Sequence, residues 1–196
     1  MSNKIGVVIT DGGGTFQQGT CFPDDFYLTP TADVRIKWGG SGRTDYGAFY
    51  DTTDQPLLNV LASQVITINS TALNNNVFLS AGSRINFPTA GVFNIQFSIQ
   101  FTNTNNQIQD AIVWFRKNGT DIPNSASFIS VPNQHGGVEG HLILALNLIE
   151  NFADNDYVEL AWAGSSLNLS LETLPAGIAP VYPAIPSIII TATKVL

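Results

Sequence analysis

The stretch Gly91-Val-Phe-Asn-Ile-Gln-Phe-Ser-Ile-Gln-Phe101 alternates without a break. Phe93, Ile95, Phe97, Ile99 and Phe101 share one side, and Asn94, Gln96, Ser98 and Gln100 share the other. A period of two belongs to an extended chain, whose successive side chains point to opposite faces, whereas a helix repeats every three or four residues. The stretch is therefore a β-strand with one buried face.

The same period recurs on both sides of it. From Ile108 to Lys117, Ile112, Trp114 and Arg116 oppose Val113, Phe115 and Lys117. This run ends at Asn118-Gly119, a dipeptide suited to the left-handed backbone of a tight hairpin. His141 to Leu148 places Leu142, Leu144, Leu146 and Leu148 on one side, and Asn155-Asp156 turns the chain. Val158, Leu160 and Trp162 follow, then Leu167, Leu169 and Leu171, and Ser187 to Val195 makes a last Ile/Thr strand. Shorter strands are expected at Ala48–Tyr50, Val65–Asn69, Val77–Leu79, Arg84–Phe87 and Ser127–Val131. Only Leu57–Ala62, opened by Pro56, offers a helical turn. Short strands at intervals of about ten residues predict an all-β sandwich or barrel. Pro175 to Pro186 carries four prolines, which cannot donate to a ladder, and reads as an extended loop.

Composition narrows the function classes. Hydrophobic residues form 44% of the 196, enough for a sizeable core. Charged residues are only 12%, about half the usual share, and polarity comes from Asn, Thr, Ser and Gln instead. The net charge of −7, with eight Lys and Arg and no basic block, argues against nucleic acid and anionic membranes as partners. Cys21 is the single cysteine, so neither an intrachain disulfide nor a cysteine metal cluster is expected. No apolar run approaches the roughly 20 residues of a membrane span, and no signal-peptide pattern opens the chain. A protein made in a cytoplasm is expected.

The glycine-rich joint Trp38-Gly-Gly-Ser-Gly-Arg43 divides residues 1–45 from a β domain over 46–196. The first segment has neither disulfide nor metal motif and is too small to fold alone, so it is expected to dock as an arm. Its apolar residues Ile5, Val7, Ile9, Phe16, Phe22, Phe26 and Tyr27 would make that contact.

Four blocks carry a family resemblance: Tyr46-Gly-Ala-Phe-Tyr-Asp-Thr-Thr, Thr89-Ala-Gly-Val-Phe-Asn-Ile-Gln-Phe-Ser-Ile-Gln, Val113-Trp-Phe-Arg-Lys-Asn-Gly-Thr-Asp-Ile-Pro-Asn-Ser, and Pro183-Ala-Ile-Pro-Ser-Ile-Ile-Ile-Thr. Together they resemble a domain of virion proteins of tailed bacteriophages, cyanophages included. Those domains look like the heads of the tumour necrosis factor and complement families. The resemblance covers about Tyr46 to Leu196 and implies a jelly roll of about ten strands that trimerises through one sheet. It also implies a structural or binding role on a particle and no enzyme. Candidates for the trimer contact are Phe49, Tyr50, Phe97, Phe101, Trp114, Tyr157 and Trp162, of which some must belong to the domain's own core instead. The partners expected are two further copies and a major capsid or tail protein, with a host-surface glycan for a receptor-binding tip. Capsid decoration or cement is favoured over a fibre, because no repeated shaft separates arm from head. The expected location is the virion.

Other chemistry was weighed residue by residue. Ile5 to Thr15 ends in Asp11-Gly-Gly-Gly-Thr15 and resembles the phosphate turn of sugar kinases and actin-like ATPases. Those enzymes need helices and a second phosphate loop, which the all-β remainder does not offer, so a glycine turn in the arm is the expectation. His135, Glu139 and His141 offer two imidazoles and a carboxylate, a set that can bind a divalent metal, against ordinary hydrogen bonding. Asp24-Asp25 and Asp154/Asp156 are paired carboxylates in turn-like contexts, with no placement across a cleft. The loops Asn103-Thr-Asn-Asn-Gln107 and Pro132-Asn-Gln-His-Gly-Gly137 suit surface recognition. No cofactor is expected.

Overall fold

A computed structural model describes residues 44–196 throughout. Of the residues before them it describes only the antiparallel pairing of Val8–Ile9 with Val34–Arg35. The chain divides into two compact units, Met1–Arg43 and Thr44–Leu196. The remaining expectations for the arm, the Asp11–Thr15 turn, Asp24-Asp25 and the glycine joint lie outside the described residues.

The second unit is all-β, and among the described residues there is no helix. Eleven of its strands have three residues or more. They are β1 (Tyr46–Asp51), β2 (Ser70–Asn75), β3 (Phe78–Ser80), β4 (Arg84–Phe87), β5 (Gly91–Asn103), β6 (Gln109–Lys117), β7 (Ser127–Val131), β8 (Gly140–Phe152), β9 (Asp156–Gly164), β10 (Leu169–Leu171) and β11 (Ile188–Lys194).

They form two antiparallel sheets. The first runs β8-β5-β11-β1-β2, with β10 beside Phe101–Asn103 where β11 leaves off. The second runs β7-β6-β9-β4-β3. Along the chain β1 lies in the first sheet, β4 in the second, β5 in the first, β6 and β7 in the second, β8 in the first, β9 in the second and β11 in the first.

The inner faces meet in one core. Phe97 of the first sheet packs on Phe115 of the second with ring centroids 5.4 Å apart, and Phe101 on Trp162 at 5.7 Å. Phe87, Phe93 and Phe152 close one end of it. Burying each such side chain is worth about 1.5–3 kcal/mol, so strand alternation alone is a strong organiser here. Phe93, Ile95, Phe97, Ile99 and Phe101 are all buried, as their spacing requires.

Asn118 and Gly119 both take positive φ and close the expected hairpin, pairing Lys117 with Thr120. Three local expectations are corrected. Leu57–Ala62 is a turn, with Leu57 buried in the core and Leu61 at φ 59°. Val65–Asn69 pairs as a strand only at Gln64–Val65, and Ile66 and Ile68 are then held in the core by irregular backbone bonds. The proline-rich loop contains a small hairpin of Gly177–Ile178 with Val181–Tyr182.

Candidate functional site

The two outer sheet faces differ in chemistry. On the first sheet, register sets Ala145, Ser98, Ile189 and Tyr50 in one row across β8, β5, β11 and β1. The next row is Asn147, Gln96, Thr191 and Ala48, and the one after is Ile149, Asn94, Thr193 and Tyr46. None of these side chains is charged. Ile143 and Ile149 are each 61% exposed and Ile189 is 46% exposed. Asn94 Oδ1 is buried with no hydrogen-bond partner.

Two hollows indent this face. One of about 560 Å³ lies over Gln96, Ser98, Ala145, Asn147 and Ile189. Another of about 650 Å³ lies between β1 and the proline-rich loop, walled by Tyr50, Leu174, Ile185, Pro186 and Ile189. These rows combine exposed isoleucines and one unpartnered amide oxygen without a charge, unlike the ion-paired outer face of the second sheet.

The outer face of the second sheet carries the ions. Arg84 pairs with Glu159 at 3.3 Å and covers the Tyr157 ring at 4.5 Å. Arg116 pairs with Asp121 at 3.2 Å, and the Trp114 indole N–H donates to the same carboxylate at 2.8 Å.

The seven aromatic candidates therefore separate. Phe49, Phe97, Phe101 and Trp162 are buried within the chain's own core, on the inner phase of their strands, and are removed from the list of contact residues. Tyr50 lies on the uncharged face, while Trp114 and Tyr157 lie on the charged one. The exposed isoleucines Ile143, Ile149 and Ile189 were not among the sequence candidates. Their signal is in the sequence: in His141-Leu-Ile-Leu-Ala-Leu-Asn-Leu-Ile149 the face opposite the leucines carries Ile143, Ala145 and Ile149, more apolar than a fully solvated strand face.

The histidine candidates separate too. Glu139 and His141 meet Glu172, not His135, and their ligand atoms lie within 4.8 Å of one another. His141 Nδ1 is 3.0 Å from Glu172 Oε2, and Glu139 Oε2 accepts a hydrogen bond of 3.0 Å from Thr102 Oγ1. Burial pushes the Glu172 carboxyl above its ordinary range; Glu139 and Asp54 add to this, and His141 opposes it. His135 instead exchanges two backbone bonds with Val138 around Gly136-Gly137. Glu172 was missed because it follows β10, far from the histidines in sequence.

Asp154 and Asp156 act as turn fasteners. Asp154 accepts from the Ala90 N–H at 2.6 Å, and Asp156 accepts from Ala153 N–H and the Asn118 amide, both at 2.7 Å. The loops 103–107 and 132–137 come together at one end of the sandwich. There the buried Asn103 amide donates to the carbonyls of Gln107 and Pro132, each at 3.0 Å. No protein-family model and no curated protein matches the chain.

Proposed function

We propose that the chain is a non-enzymatic structural protein of a tailed-bacteriophage virion. It forms a homotrimer through the neutral middle rows of the outer face of its first sheet and decorates or cements the capsid through residues 1–45. The observation that supports it most is the neutral middle of the first sheet's outer face, three rows without a charge that carry exposed Ile149 and Ile189 and the unpartnered Asn94, with the His141–Glu172 pair only at the β10 end of that face. Strands that pass back and forth between two antiparallel sheets support the jelly-roll reading that the family resemblance implies. The paired carboxylates Asp154 and Asp156 fasten turns, in keeping with a role without catalysis.

Sedimentation equilibrium at micromolar concentration tests the assembly. The expected mass is three times 21.1 kDa, and a monomer would overturn the trimer. Labelled particles test the location. Label over the capsid surface, with loss of heat and osmotic resistance in particles lacking the protein, is the expected result.

A receptor-binding tip is the second reading, favoured by the polar loops gathered at Asn103 and Pro132. Label at a tail tip, with adsorption lost and capsid resistance kept, would replace the first reading with this one.

A further inference from the structure

We propose that Glu139, His141 and Glu172 form a binding site for one divalent transition-metal ion of the zinc type. The inference does not depend on the virion reading, and all three ligands come from one chain.

The site is built on the sheet. His141 of β8 stands directly opposite Thr102 of β5, and Ser170 of β10 stands opposite Thr102 on its other side. Glu172 continues that strand, its N–H donating to the Gln100 carbonyl at 3.0 Å. The three ligand side chains therefore reach over one another from the two flanks of β5: His141 lies within β8, Glu172 is held by its bond to Gln100, and Glu139 immediately precedes β8.

The donor set is one imidazole nitrogen and two carboxylate oxygens, a mixture that suits zinc and its neighbours better than calcium or magnesium. Ligand atoms around a tetrahedral zinc stand about 3.4 Å apart. The His141–Glu172 separation of 3.0 Å is already close to this, and the exposed Glu139 has only to close inside 4.8 Å. Thr102 Oγ1, by donating to Glu139 Oε2, orients that carboxylate as outer partners of metal ligands do.

Charge favours occupation. Asp54 joins the two glutamates near this point, its Oδ1 accepting from the Thr173 N–H and hydroxyl. Among the described residues no Lys or Arg forms an ion pair with any of the three carboxylates. A cation would neutralise this cluster of carboxylates.

The test is equilibrium dialysis of the full chain against zinc chloride in a non-chelating buffer, with calcium chloride as comparison. One zinc per chain, taken up saturably and in preference to calcium, is expected. His141→Ala and Glu172→Gln should each weaken binding by roughly 100-fold, and Thr102→Val by about 10-fold, with folding checked by circular dichroism. His135→Ala should leave binding unchanged. Absence of saturable uptake overturns the proposal. So does uptake that survives His141→Ala in a folded protein, or uptake lost in His135→Ala.

Discussion

Gly140 lies directly opposite Asn103 in the register of β8 and β5, at the point where two loops are tied to the end of the sandwich. A Cβ built on Gly140 would meet the Pro132 carbonyl oxygen at 1.9 Å and its carbon at 2.6 Å. Both are backbone atoms and cannot swing aside. Gly140→Ala should therefore force the 132–137 loop away from the sheet and cost about 1–3 kcal/mol. Urea unfolding checks this, and an unchanged midpoint would show that the loop yields freely.

Asn103 itself is fully buried. Its amide donates to Gln107, Val131 and Pro132 carbonyls, and its oxygen accepts from the Asn105 N–H at 2.8 Å. Asn103→Leu leaves these buried groups without partners and should cost about 3 kcal/mol. Hydrogen exchange gives a local readout. The Gln134 N–H, bonded to the Asn105 carbonyl at 2.8 Å, should lose protection before the amides of β5 do.

The sequence made the inner faces of the long strands legible, because alternation reports burial directly: every residue of the Phe93 to Phe101 row is in the core. The Asn118-Gly119 hairpin was legible because few residues take positive φ so readily. Ser70–Asn75 was not anticipated as a strand. Ser-Thr-Ala-Leu-Asn-Asn has no apolar alternation, since it pairs at the sheet edge and buries neither face. The candidate site was legible only in part. Where both phases are apolar, as at Ile188-Ile189-Ile190, period two does not say which one is inside, so the exposure of Ile189 was not legible. The Glu172 partner of His141 depends on sheet register across some 30 residues, which local pattern does not encode.

Two carboxyls should make stability respond to pH with opposite signs. Asp156 is held below its ordinary value. Burial pushes it up, but the Asn118 amide, the Ala153 N–H and Lys117 together outweigh this. Its contribution is therefore present above its unfolded pKa of about 3.9 and is lost as pH falls through the lower folded value. Asp156→Asn should cost about 1 kcal/mol at pH 7, a deficit that shrinks in acid. Glu172 is held above its ordinary value, so its contribution is present below about pH 4.3 and is lost as pH rises through the folded value. In the presence of a chelator, Glu172→Gln should be more stable than the parent at pH 7 and equal to it in strong acid. Thermal melts across pH check both, and parallel profiles for parent and variants would refute them.

The strongest consequence of the neutral sheet face concerns Ile189. It sits mid-sheet, flanked by Ser98 and Tyr50, and borders both hollows. It is 46% exposed within one chain, so a lysine there could reach water without disturbing the fold, and the monomer's stability should change by less than about 0.5 kcal/mol. In an assembly that covers this face the same lysine would be buried, and three copies would be brought together near one axis. Neither the neutral neighbours nor the amides of Gln96 and Asn94 could compensate it. Ile189→Lys should therefore sediment as a folded monomer. Ile112→Lys, 37% exposed on the charged face, serves as the matched control because it adds the same charge at similar exposure. It should assemble like the parent. If Ile189→Lys stays assembled while Ile112→Lys comes apart, the contact lies on the second sheet instead.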